Sequence, residues 1–157
     1  MFLPPNILLI KGFDFEREGT VPKDKFMIVI LQTGTDAIIA PLTTSVDYIP
    51  DTHKGKRCVM DVPSRLHCYF IPKSYEIGKG GFSFSKDTYI QVQGNLAKRS
   101  ISDLSKKYQL SASLIDQLTD IEYSDLLYCI YKSQFVPRGV RRAIEPILQK
   151  LEKERIS

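Results

Sequence analysis

Cysteine and histidine are scarce in this 157-residue chain, and both scarcities narrow its chemistry. Cys58, Cys68 and Cys129 are odd in number and widely spaced, which suits neither a disulfide framework nor a zinc knuckle. Free thiols in a reducing compartment are the expectation. His53 and His67 lack the i, i+4 spacing of a helical zinc motif, and no His/Cys/Asp/Glu set shows metal-ligand spacing, so no metal is expected. No apolar run approaches the roughly 20 residues that span a bilayer, and the N-terminus has no basic region followed by a long apolar stretch. A cytoplasmic protein without membrane contact is expected. Glycine-rich phosphate loops are missing too: Lys79-Gly80-Gly81 is too short and lacks the terminal Lys-Ser/Thr, and no Gly-x-Gly-x-x-Gly occurs. No nucleotide cofactor, and no cofactor of any other kind, is indicated.

Charge of one sign is only mildly in excess, 22 Lys and Arg against 18 Asp and Glu. The surplus is uneven, −2 over residues 1–50, +6 over 51–110 and zero over 111–157. Such a balance is compatible with a polyanionic partner without establishing one.

An apolar content of 43% over this length suits one domain with an ordinary core. Asn6–Ile10 reads as a short buried strand after Pro4-Pro5, followed by a polar loop over residues 11–24. The runs Phe26–Leu31 and Ala37–Leu42, separated by Gln32-Thr33-Gly34-Thr35-Asp36, form the clearest hairpin signal. Arg57–Val62, Leu66–Ile71 and Thr88–Gln93 are further strand candidates, the last alternating as a half-buried strand does. Beyond Ser100 the pattern changes. Ser111 is expected to cap a helix over Ala112–Leu118, a second helix is expected over Tyr123–Ser133, and a last one over Val140–Glu154 holds Pro146. The expected fold is mainly β with C-terminal α: a small β-barrel over residues 1–110 and a helical region over 111–157 packed on or beside it.

The hairpin places chemistry at one sheet end. Lys25 opens its first strand, and Thr43, Thr44 and Ser45 close its second, so an ammonium and three hydroxyls can converge there. Hydroxyl residues commonly just satisfy backbone groups at strand ends. The combination, however, fits RNA cleavage by attack of a 2′-OH on the adjacent phosphorus, which requires positioning, proton transfer and positive charge on the developing dianion. His53 lies in the basic loop Thr52-His53-Lys54-Gly55-Lys56-Arg57 and His67 in a strand, and neither is expected to be essential. Lys54, Lys56 and Arg57 are candidate RNA contacts, as are Gln91 and Gln93, although alternating glutamines are more often the wet face of a sheet. Arg138, Arg141 and Arg142 read as a solvated helix face.

Four segments, in order, resemble the PemK/MazF-like toxin family. They are Ile7-Leu8-Leu9-Ile10 followed by a long loop, Lys25-Phe26-Met27-Ile28-Val29-Ile30, Ala40-Pro41-Leu42-Thr43-Thr44-Ser45, and Tyr89-Ile90-Gln91-Val92-Gln93 followed by a basic segment ending at Leu104. The resemblance covers roughly residues 6–120. It implies an SH3-like, PemK-type small β-barrel, metal-independent endoribonuclease activity on single-stranded RNA, a homodimer and a neutralising antitoxin. Much of that family has arginine where this chain has Lys25. A lysine with a Thr-Ser pair is similar instead to the ToxN/AbiQ toxins, whose antitoxin is RNA. Lysine is a compact point charge where arginine is a bidentate fork, so altered phosphate handling is expected. The alternative reading is a non-catalytic small-barrel module that binds RNA or a protein partner, or a scaffold whose helical tail does the work.

Overall fold

The computed structural model describes residues 1–14, 19, 21–43, 49–92 and 96–156. The chain is α+β. Strands β1 (Asn6–Phe13), β2 (Lys23–Thr33), β3 (Asp36–Pro41), β4 (Cys58–Asp61), β5 (Leu66–Ile71), β6 (Thr88–Gln91) and β7 (Ala97–Ser100) precede helix α1 (Ile101–Tyr108). Strand β8 (Ala112–Gln117) and helices α2 (Asp120–Tyr131) and α3 (Arg138–Ile156) follow. A five-stranded antiparallel sheet runs β7-β3-β2-β1-β8, and a three-stranded one runs β4-β5-β6. Two isolated bridges, Thr43 with Tyr89 and Gly78 with Leu118, stitch the sheets together.

Strand β2 explains the architecture. Met27 to Leu31 are all fully buried, as expected of a central strand covered on both faces. Met27 and Val29 face Leu8, Ile10, Phe13 and the α1 residues Leu104 and Tyr108. Ile28 and Ile30 face the second sheet and the C-terminal helices, through Tyr69, Ile90, Leu126, Leu127 and Ile130. The β2–β3 register skips Ile30, and the Tyr123 hydroxyl of α2 donates to the Ile30 carbonyl at 2.7 Å. A bulge thus turns a backbone acceptor toward the helix that covers it. The hairpin closes through Gly34, whose φ of 63° is open to a residue without Cβ.

Several boundaries differ from expectation. Of the expected helix over 112–118, residues 112–117 form β8 instead, paired with β1 from Asn6↔Gln117 to Ile10↔Ala112, and Leu118 bridges Gly78. Leu114 is 52% exposed there, so its helical spacing with Ile115 and Leu118 was incidental, and the open edge of β1 decides the conformation. The segment 111–157 therefore contributes a strand to the larger sheet as well as two helices. Helix α1 and β7 were not expected, although Ser100 caps α1 by accepting from the Asp103 amide. Strand β1 continues to Phe13 and β2 begins at Lys23, which shortens the expected loop at both ends; residues 15–18 and 20 of that loop lie outside the described residues. Helix α2 starts three residues early because Thr119 accepts from the Glu122 amide. Helix α3 carries Pro146 inside it, as expected.

Candidate functional site

Antiparallel pairing brings the Lys25 end of β2 to the end of β3. The Leu42 amide donates to the Phe26 carbonyl at 3.1 Å, and Lys25 Nζ donates to the Leu42 carbonyl at 3.4 Å. Thr43 is held by a reciprocal pair of backbone bonds with Tyr89 at 3.0 and 2.7 Å. Lys25 and Thr43, both half-buried, line one cavity of about 360 Å³. Thr44, Ser45 and Gln93 lie outside the described residues.

The opposite wall was not visible in the sequence. It comes from the loop before β6, which supplies Phe82, Ser83, Phe84, Ser85 and Lys86, with Thr88 and Asp24 completing the lining. Phe26, Phe82 and Phe84 pack edge-on or tilted, with centroids 5.0–5.9 Å apart. The loop has an identifiable anchor. The Asp116 carboxylate on β8 accepts from the amides of Gly80, Phe82 and Gln117 at 2.7–3.1 Å. Burial pushes its acidity one way, and the three amides prevail, holding the carboxyl below its ordinary value. A Cβ on Gly78 would lie 2.0 Å from Asp116 Oδ2, so any side chain at this approach would displace the carboxylate. The cavity therefore combines two lysines, several hydroxyls, one carboxylate and an aromatic floor, which is a chemistry suited to a phosphodiester carrying a base.

The other candidates separate. Arg57 turns inward: its guanidinium pairs with Glu122, donates to the Tyr69 hydroxyl at 3.2 Å and lies between the rings of Tyr69 and Tyr75. With its charge already met by a buried carboxylate, it is poorly placed to meet a phosphate. Lys54 and Lys56 are exposed, and Gln91 is half-buried on β6 opposite Cys68. His53 pairs with Asp61 at 3.5 Å. Arg141 donates to the Tyr131 carbonyl at 3.0 Å, so one member of the C-terminal basic cluster ties α3 to α2.

The cysteine expectation is corrected. Cys58 on β4 and Cys129 on α2 form a disulfide, and Cys68 remains a free buried thiol, which burial pushes up to about 11. His67 on β5 joins the pair, its Nε2 lying 3.7 Å from Cys58 Sγ and 3.3 Å from Cys129 Sγ. Burial, then the charge of Lys132, lower its pKa to about 4. Folding thus creates a Cys/His/Cys set with donor atoms within 4.8 Å of one another, although linear spacing shows none. The set was missed because Cys129 lies 62 residues beyond His67.

No family model, curated protein or solved structure matches the chain.

Proposed function

We propose that the protein is an endoribonuclease of the toxin–antitoxin type that cleaves single-stranded RNA in the cytoplasm at the Lys25 cavity. In this reading the two sheets correspond to an SH3-like, PemK-type barrel, and a protein or RNA antitoxin covers the cavity; a homodimer is the assembly proposed. The observation that carries the proposal is the meeting, in a single cavity, of Lys25 near the start of β2 and Thr43 just beyond the end of β3.

The reaction follows from the groups present. The ribose 2′-oxygen attacks the adjacent phosphorus, the P–O5′ bond breaks, and the products are a 2′,3′-cyclic phosphate and a 5′-hydroxyl. Asp24 accepts the 2′ proton, solvent water supplies the proton that the departing O5′ takes up, and the Lys25 ammonium stabilises the dianionic phosphorane. The Thr43 hydroxyl orients a non-bridging oxygen, and Phe82 and Phe84 offer a face or edge to the neighbouring base. No metal is required at the phosphorus in this scheme.

Purified protein incubated with a long unstructured RNA in chelator is expected to yield fragments ending in cyclic phosphate, and Lys25→Ala to lose the activity. Equal cleavage by wild type and Lys25→Ala would remove this site from catalysis. RNA that is bound but left intact by the wild type would favour the binding-module reading.

A further inference from the structure

We propose that Cys58, His67 and Cys129, once the disulfide between the two cysteines is reduced, form a binding site for a thiophilic divalent cation of the zinc class. The site is remote in chemistry from the Lys25 cavity and does not depend on the function proposed for it. A tetrahedral zinc ion takes sulfur at about 2.3 Å and imidazole nitrogen at about 2.0–2.1 Å, so neighbouring donors stand about 3.5–3.8 Å apart. His67 Nε2 already lies 3.7 and 3.3 Å from the two sulfurs. The first distance matches a coordination edge, the second is slightly short of one, and reduction lets the bonded sulfur–sulfur edge open to the about 3.8 Å that a tetrahedral ion needs.

The scaffold favours this use. The three donors sit on β4, β5 and α2, regular elements that hold side chains more closely than loops do. His67 and Cys129 are buried, and half-buried Cys58 provides the approach from solvent. Two thiolates neutralise a divalent ion, which lets the assembled site remain in the interior without net charge.

The chemistry balances with a dithiol reductant of the kind that maintains a reducing cytoplasm. Two electrons and two protons pass from the dithiol to the Cys58–Cys129 bond, giving two thiols and an oxidised reductant. On metal uptake both thiols release their protons to water, and neutral His67 contributes its Nε2 lone pair. The α2 helix is thus clamped to the second sheet in either compartment, by a covalent bond where conditions oxidise and by coordination where they reduce.

The test uses the full chain, reduced, stripped of metal and titrated anaerobically with cobalt(II). Thiolate-to-cobalt charge-transfer and tetrahedral d–d bands are expected to saturate at one equivalent and to vanish when zinc is added. Oxidised protein should give no bands until dithiol is supplied. His67→Gln should weaken binding by more than about tenfold, a loss at least as large as that from disturbing a ligand's supporting contacts, whereas Cys68→Ser should leave it unchanged. A reduced wild type that stays folded by circular dichroism without bands would overturn the proposal, as would a reduced chain that unfolds and takes up no cobalt. Full binding by His67→Gln would equally refute it.

Discussion

Replacing Arg57 by methionine leaves the Glu122 carboxylate buried without its cation, and the asymmetry between the two partners sets the size of the effect. Glu122 is 3% exposed in its side chain and Arg57 is 30% exposed. Beyond Arg57, the carboxylate retains the Tyr69 hydroxyl, which donates to Oε1 at 2.7 Å. Breaking a buried pair by removing one partner typically costs about 3–5 kcal/mol, because the remaining charge is uncompensated. Arg57→Met should fall near ~4 kcal/mol, since the abandoned charge is the more buried one. Glu122→Gln keeps the shape and an acceptor for both Arg57 and Tyr69 and leaves a guanidinium that still reaches solvent. Its cost should be about 1–2 kcal/mol, the difference between charged and neutral hydrogen bonds. The double variant has no charge to abandon, so it should lose only about 2–3 kcal/mol, less than Arg57→Met alone.

Urea unfolding followed by far-ultraviolet circular dichroism measures all four proteins, and suits a chain without tryptophan. For a domain of this size the Arg57→Met loss corresponds to a fall in Tm of about 8–16 °C. Additivity of the single variants within ~0.5 kcal/mol would refute the idea of one coupled unit. A different failure is equally informative. If Arg57→Met left stability intact but reduced the salt dependence of RNA binding, Arg57 would be a phosphate contact after all.

Four further outcomes are expected. Lys25→Ala should lower single-turnover RNA cleavage by about 10²–10³-fold with little change in Tm, the scale found for a single transition-state donor, while Lys25→Arg should retain part of the activity; equal losses from both would contradict a simple charge role. Tyr123→Phe should cost about 1–2 kcal/mol by removing the partner of the buried Ile30 carbonyl, and a variant as stable as wild type by urea midpoint would show that carbonyl satisfied elsewhere. Gly78→Ala should displace the Asp116 carboxylate and the loop it holds, weakening RNA affinity at the cavity more than it lowers Tm; unchanged RNA affinity would disconnect the loop from the site. Asp116 has a folded pKa below its unfolded one, so its contribution is complete above about pH 4 and is lost as pH falls through the lower folded value; the urea-midpoint gap between wild type and Asp116→Asn should therefore be constant near neutrality and shrink in acid, and a gap that persisted to low pH would assign it to packing instead.

The convergence of Lys25 with Thr43 was legible because it needs only a hairpin. Two apolar runs around Gly34 set the register, and antiparallel pairing then brings residue 25 beside residue 43. What closes the cavity was not legible, since Phe82 to Lys86 belong to an irregular loop whose conformation is dictated by Asp116, more than thirty residues later. The same distinction governs the elements. The residues of β5 bound that strand by themselves, whereas β8 reads as a helix in isolation because its identity depends on the vacant edge of β1. Helix α2 is the extreme case. Glu122 and Cys129 stand seven residues apart, two turns along one helical face, and meet Tyr69 and His67, which share one face of β5. Each residue alone reads as a bland helix or strand position. Only the packing of α2 on the second sheet turns them into a buried ion pair and a Cys/His/Cys set, so the features that most constrain the C-terminal half of this chain arise from pairing between segments and have no signature within either one.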